Sequence, residues 1–143
     1  QTVWNVANKI CGATDIALTD LGHQQAAELG ERILKEGIKI DEILYSPLMR
    51  AADTAKHISE VTGIPAREEL RLKEQNFGKY ESTPRNGEEF KRAKQDIKKE
   101  DKVYLLVAHN GISRAIESYV RDMSNEEFAG FGIKNCELRK YEF

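Results

Sequence analysis

The feature that most constrains the fold is a short apolar run that passes directly into a helical pattern, and it occurs twice. Residues 103–114 read VYLLVAHNGISR, in which the apolar run stops at His109 and a helical stripe follows. Earlier, residues 38–46 read IKIDEILYS, with Ser46 and Pro47 as a predicted N-cap and first-turn proline. Strands that lead into helices in this way predict an α/β fold with a mainly parallel sheet.

Three further segments carry clear signals. LTDLGHQQAAELGERILKEG has the spacing of an amphipathic helix that begins after Thr19 and ends on Gly37. Residues 124–127, SNEE, have the pattern of a capping box and predict a short last helix. Residues 136–143, CELRKYEF, are a candidate final strand.

Length and charge narrow the class of protein. A chain of 143 residues is long enough to bury the core of a single domain spanning residues 1–143. The 22 basic and 24 acidic residues give a net charge of −2, which argues against nucleic acid or an anionic membrane as the main partner. Cys11 and Cys136 form no disulfide framework, and no apolar stretch is long enough to cross a bilayer, so we expect a cytoplasmic protein.

Polar side chains follow both predicted strands, where ligands of open α/β sheets bind. Arg50 lies in the first turn of a helix, where a cation needs an anionic partner; the alternative is a surface ion pair with Asp53. Asn110 opens a helix whose N-terminal amides favour anions, and His109 precedes it. A structural histidine that caps its own strand is the alternative for His109. We expect His109, Asn110 and Arg50 to face one crevice that binds phosphate.

Two other segments are candidate parts of the site. Glu74, in LKEQNFGKYE, lies beside apolar residues that raise the pKa of a carboxyl group and suit it to general-acid chemistry. An exposed loop glutamate is the alternative. WNVANKICGATD is nonrepetitive and too polar for a core strand, so it predicts a substrate-contacting loop in which Trp4 either contacts the ligand or covers the core.

Other kinds of site have weaker support. His23, His57 and His109 stand on separate segments without metal-ligand spacing, so the sequence predicts no metal. The GISRA stretch only partly matches a serine-hydrolase elbow, because Ala115 occupies the place of the second glycine. The sequence contains no nucleotide-binding glycine loop, and we expect no cofactor.

Five motifs in order, QTVWN, LTDLGHQQA, YSPLMRAADTA, LKEQNFGKYE and LLVAHNGISR, closely resemble the histidine phosphatase superfamily of phosphoglycerate mutase-like proteins. The resemblance covers nearly the whole chain. It implies a three-layer α/β/α sandwich and a histidine, within an Arg-His-Gly triplet, that attacks phosphorus to form a phosphohistidine.

The resemblance also implies roles for individual residues. Arg50 corresponds to a phosphate-binding arginine and His109 to the second histidine of the site. Glu74 corresponds to the proton donor, and Asn5 to an asparagine of the phosphate pocket. The substrate-contacting loop includes Gly12 and Ala13.

The chain departs from the pattern of the family in two places. It begins at Gln1, so we expect the first strand and its Arg-His-Gly triplet to lie upstream. A helical segment is expected between Gln95 and Asp96, where a charged run passes instead, so we expect residues to be missing at that junction. We also expect an unfilled slot in the sheet between the strands that lead to Arg50 and His109.

The resemblance favours a metal-independent phosphatase that hydrolyses a small phosphomonoester through a phosphohistidine. A phosphoglycerate mutase is the alternative enzyme, although the segment after NFGKYES leaves little room for the insertion that shields a mutase intermediate from water. A noncatalytic phosphate-binding protein is the alternative from another class. The expected partner is a small phosphorylated metabolite. The sequence does not fix the oligomeric state, for which a homodimer is one alternative.

Overall fold

The structure, a computed structural model, describes residues 1–2, 15–73 and 102–141. Four helices lie in these ranges: α1 (Asp20–Lys35), α2 (Met49–Thr62), α3 (Asn110–Val120) and α4 (Asn125–Gly130). The strands are β1 (Glu42–Tyr45), β2 (Ala66–Glu68) and β3 (Tyr104–Val107), and a 3-10 turn spans Leu70–Leu72. The Gln95–Asp96 junction lies outside the described residues.

The helix boundaries follow the signals in the sequence. Thr19 caps α1, because its side chain accepts a hydrogen bond from the Gly22 amide. α2 ends at Gly63, whose φ of 73° is the left-handed conformation that glycine adopts at little cost. Ser124 and Glu127 form the predicted capping box of α4.

The described sheet has the strand order β2-β1-β3, with both pairs of strands parallel. β1 and β3 are hydrogen-bonded directly, with Ile43 opposite Leu105 and Tyr45 opposite Val107. The expected slot between these two strands is therefore wrong, because their ladder leaves no space for an intervening strand. The direct pairing brings the ends of β1 and β3 together at one edge of the sheet.

Successive side chains of β1 point to opposite faces of the sheet. Ile43 is fully buried in a cluster with residues of α1 and α2, including Ile33 and Ile58. Leu44 is buried in a second cluster with Ile112 of α3 and a neighbouring apolar set. The sheet is thus covered by helices on both faces, which confirms the predicted three-layer α/β/α fold.

α1 and α2 approach each other closely at Gly30. A methyl group added there would lie 3.0 Å from the Cβ of Val61 and 3.4 Å from the Cα of Ile58. The absence of a side chain lets the two helices pack with their backbones near each other. This contact fixes the position of α2, and with it the position of Arg50 at its start.

The predicted final strand is wrong for the described residues 136–141, which contain no strand. Cys136 has a φ of 59°, which interrupts an extended backbone. Side chains hold the segment instead: the Tyr141 hydroxyl donates to buried Glu117 at 2.7 Å, and Arg139 lies 3.5 Å from the same carboxylate. In the described ranges, no helix is long and apolar enough to cross a membrane.

Candidate active site

A buried hydrogen bond joins the ends of β1 and β3. His109 Nε2 lies 2.7 Å from Ser46 Oγ. Ser46 is 0% exposed and His109 is 9% exposed, so water competes little for this bond. The Ser46 amide also donates to the Val107 carbonyl at 3.0 Å, which continues the ladder past β1. The backbone pairing therefore sets the position of the imidazole.

The role of Ser46 differs from its predicted one. α2 begins at Met49, and its N-cap residue is Leu48, whose apolar side chain makes no capping hydrogen bond. The Ser46 hydroxyl instead bonds His109 and accepts a longer contact of 3.4 Å from the Leu48 amide. Local patterns at the end of β1 predict a helix cap for Ser46 and do not reveal the bond to His109, because that partner is 63 residues away.

Burial, together with a smaller effect from the nearby positive charge of Arg50, lowers the pKa of His109 from 6.5 to about 4. The imidazole is therefore neutral near pH 7. Arg50 is half-buried in the first turn of α2, which follows β1, and it acts electrostatically on His109, which follows β3. The fold thus brings the charge of Arg50 close enough to act on the His109 ring. That the two groups share an anionic ligand stays a prediction.

Asn110 is exposed at the first position of α3, and its Oδ1 accepts a hydrogen bond from the Ile133 amide at 2.9 Å. Its amide oxygen thereby holds the loop after α4 against the start of α3. A phosphate contact from Asn110 would use its NH₂ group, and this role stays a prediction. Ser113 Oγ donates to the His109 carbonyl at 3.1 Å, which fixes the backbone at the start of the helix.

Asp15 is anchored to the start of α2. Its Oδ1 accepts a hydrogen bond from the Met49 amide at 2.7 Å, which satisfies an amide at the positive end of the helix. Asp15 is the first described residue after the stretch that contains the predicted substrate loop. The described segment that follows the predicted loop therefore begins near Arg50.

The other predicted site residues are Asn5, Gly12, Ala13 and Glu74, and all four lie outside the described residues. Their roles stay predictions. Lys73, the last described residue before Glu74, follows the turn in which Leu72 packs against α3. The described segment that precedes Glu74 therefore ends on the face of the sheet that α3 covers.

The sequence profile of the histidine phosphatase superfamily (branch 1) matches residues 1–102, which is most of the chain. The chain belongs to this superfamily. Membership of the histidine phosphatase superfamily confirms the resemblance seen in the motifs.

Curated relatives include proteins named as mutases. A 2,3-bisphosphoglycerate-dependent phosphoglycerate mutase of Staphylococcus carnosus is 38% identical over 81 residues, covering 54% of this chain and 36% of that protein. A probable phosphoglycerate mutase of Yersinia pestis is 37% identical over 84 residues, covering 59% and 38%. The matched part of this histidine phosphatase chain therefore covers well under half the length of these curated relatives.

Similar solved structures include proteins named as phosphatases. A mycobacterial glucosyl-3-phosphoglycerate phosphatase has a TM-score of 0.77 at 21% identity, with 95% of this chain and 83% of that chain covered. Phosphoserine phosphatase from Entamoeba histolytica has a TM-score of 0.76 at 24% identity, with the same coverage. At these identities the likeness establishes the fold of the chain and leaves its substrate to be proposed.

Proposed function

We propose that the protein is a phosphatase that hydrolyses a small phosphomonoester through a phosphohistidine intermediate. The observation that carries this proposal is the neutral, buried His109, which is fixed by Ser46 and lies in the field of Arg50. A fixed imidazole beside a guanidinium suits an anionic ligand with several oxygen atoms. Membership of the histidine phosphatase superfamily supports phosphoryl transfer as the class of reaction.

Ser46 engages Nε2 of His109, so we assign the other ring nitrogen, Nδ1, to the ligand. In this assignment Nδ1–H donates to a phosphate oxygen, and Arg50 donates to two others through its planar group. Both contacts strengthen as charge builds on the phosphoryl oxygens during transfer. The positive end of α3 adds to the same field.

The nucleophile in this proposal is a histidine of the Arg-His-Gly triplet that the resemblance places before Gln1. Its ring nitrogen forms a P–N bond while the P–O ester bond breaks, and Glu74 protonates the departing alkoxide. Water then attacks phosphorus, the P–N bond breaks, and the Glu74 carboxylate accepts the proton from that water. Inorganic phosphate leaves, and every group returns to its starting state.

The test is an assay of the full-length gene product for phosphate release from an aryl phosphate and from an alkyl phosphate. We expect Glu74→Gln to lower turnover of the alkyl ester at least about tenfold more than that of the aryl ester, whose leaving group needs less protonation. Glu68→Gln changes an exposed carboxylate on β2 and serves as the matched control. Equal losses on both esters would remove Glu74 from the acid role.

A phosphoglycerate mutase is the second candidate, and the names of the curated relatives favour it. The two reactions are separated by supplying 3-phosphoglycerate and identifying the product. Free phosphate supports the phosphatase, whereas 2-phosphoglycerate without phosphate release supports the mutase. Binding of phosphate with no turnover of any ester would favour the noncatalytic alternative.

A further inference from the structure

α1 and α2 each contribute one histidine to a pair between the helices. His23 Nδ1 lies 2.8 Å from His57 Nε2, and the two rings meet edge to face with their centroids 5.1 Å apart. Both rings are half-buried. Because His57 follows Arg50 by seven residues, it lies about 10 Å further along α2 than the proposed phosphate site.

The two facing nitrogen atoms share one proton when both rings are neutral, because each ring then carries a single N–H. Two imidazole nitrogens bound to one tetrahedral Zn²⁺ at about 2.0–2.1 Å would lie about 3.4 Å apart. The observed separation is 2.8 Å, so a small rotation of the rings would admit the ion.

The packing of α1 against α2 holds the two histidines together before any ion binds. Gly30 of α1 lies against Val61 and Ile58 of α2, so the two helices cannot drift apart without breaking a close contact. A site whose ligands are already held together loses less conformational entropy on binding than one assembled from free side chains. The spacing of histidines along the chain says nothing about residues that two packed helices bring together.

We propose that His23 and His57 form a two-histidine site for a divalent transition-metal ion, with Zn²⁺ as the best-suited ion. Imidazole is a favoured ligand of zinc, copper and nickel. No group of three or more His, Cys, Asp or Glu residues that could hold a metal occurs in the described ranges, so water completes the coordination sphere. The ring that donates the shared proton transfers it to its other nitrogen, so the neutral pair binds the ion without losing a proton.

Such an ion would act as a clamp between α1 and α2 and would be independent of the proposed phosphoryl transfer. The unfolded chain does not hold the two rings together, so the ion binds the folded state preferentially and stabilises it by mass action. The two ligands of this site come from helices that pack on the same face of the sheet.

The first test titrates the full chain with ZnCl₂ at pH 7.5 and follows the ring nitrogens of its three histidines by NMR. We expect His23 Nδ1 and His57 Nε2 to shift together and saturate at one equivalent of zinc, while the His109 ring stays unchanged. Retention of the histidine–histidine hydrogen bond at saturating zinc, or a response from His109 alone, would overturn the proposal.

The second test measures thermal unfolding with and without 1 mM ZnCl₂. We expect zinc to raise Tm of the unsubstituted chain by at least about 3 °C, and to raise it by less than about 1 °C in His23→Gln and in His57→Gln. Lys56→Gln, an exposed change beside His57, should keep the full shift. Because each variant is compared with itself, its own loss of stability does not affect the result. If a variant that carries both His23→Gln and His57→Gln showed the same rise in Tm with zinc as the unsubstituted chain, the proposal would be overturned.

Discussion

Two features of His109 suit it to the anion site that we propose. Its burial and the charge of Arg50 both oppose protonation, so the free site holds a neutral ring. An anion placed between the two groups would offset the charge of Arg50 and favour the protonated ring. Ligand binding and protonation of His109 are therefore coupled in our account.

At the scale of single residues, Ser46 is the contact that orients this ring. We expect Ser46→Ala to lower the free energy of unfolding by about 1–3 kcal/mol, because it leaves a buried ring nitrogen without its partner. It should also move the His109 ring nitrogen signals in an NMR spectrum and weaken phosphate binding at least about tenfold.

Ser113→Ala is the matched control for this change. Its hydroxyl bonds the His109 carbonyl and not the ring, so the ring signals should stay in place. If the His109 ring signals and phosphate affinity were unchanged in Ser46→Ala, a positioning role for Ser46 would be wrong.

At the scale of elements, local signals predicted α1, β1, β3 and α4 because caps and hydrophobic spacing lie within each segment. β2 was missed, since its sequence, Ala-Arg-Glu, is only three residues long with one small apolar side chain, and the strand forms by pairing with β1. The last strand was predicted wrongly because CELRKYEF alternates in polarity, while its side chains bond Glu117 instead of extending the sheet.

The contact between α1 and α2 depends on the small size of Gly30. Gly30→Leu should lower the free energy of unfolding by about 1–3 kcal/mol, because the new side chain has no space against Val61. Glu31→Leu adds the same side chain at the adjacent exposed position and should cost less than about 0.5 kcal/mol. Urea unfolding checks both values, and equal stability of the two variants would contradict the close packing of the helices.

At the scale of the whole molecule, His109 makes stability depend on pH. Its pKa is about 4 in the folded chain against 6.5 as its ordinary value, so between these limits the unfolded chain binds more protons. Stability therefore rises with pH through this window, and acidification from pH 6.5 to pH 4 should remove up to about 3 kcal/mol.

Urea unfolding at intervals from pH 7 to pH 4.5 measures this dependence. Glu69, Glu127 and Glu137 have pKa values lowered from 4.5, so the stability that they contribute is lost mainly as the pH falls below 4.5. Replacing the titrating ring in His109→Gln should flatten the curve. A slope that is the same with and without His109 would exclude the histidine as its cause.

The fold class followed from two strand-to-helix units, but the order of the strands did not. Nothing in a single segment states which strand lies beside it, and the slot inferred from the family resemblance lies where β1 and β3 pair directly. Arg50 and His109 were placed correctly after their strands because each position follows from its own segment. The bonds from Ser46 to His109 and from His23 to His57 were not predicted, because each joins two distant segments. Contacts between distant residues are set by packing, which local patterns do not encode.

The most direct test of the account is the pKa of His109 measured by NMR with and without inorganic phosphate, at equal ionic strength set with sodium chloride. Without phosphate we expect a pKa of about 4, as burial and Arg50 dictate. Saturating phosphate should raise this pKa by at least about one unit, because the bound anion favours the charged ring. A pKa of His109 that phosphate leaves unchanged would contradict the central claim that His109 and Arg50 form a phosphate site.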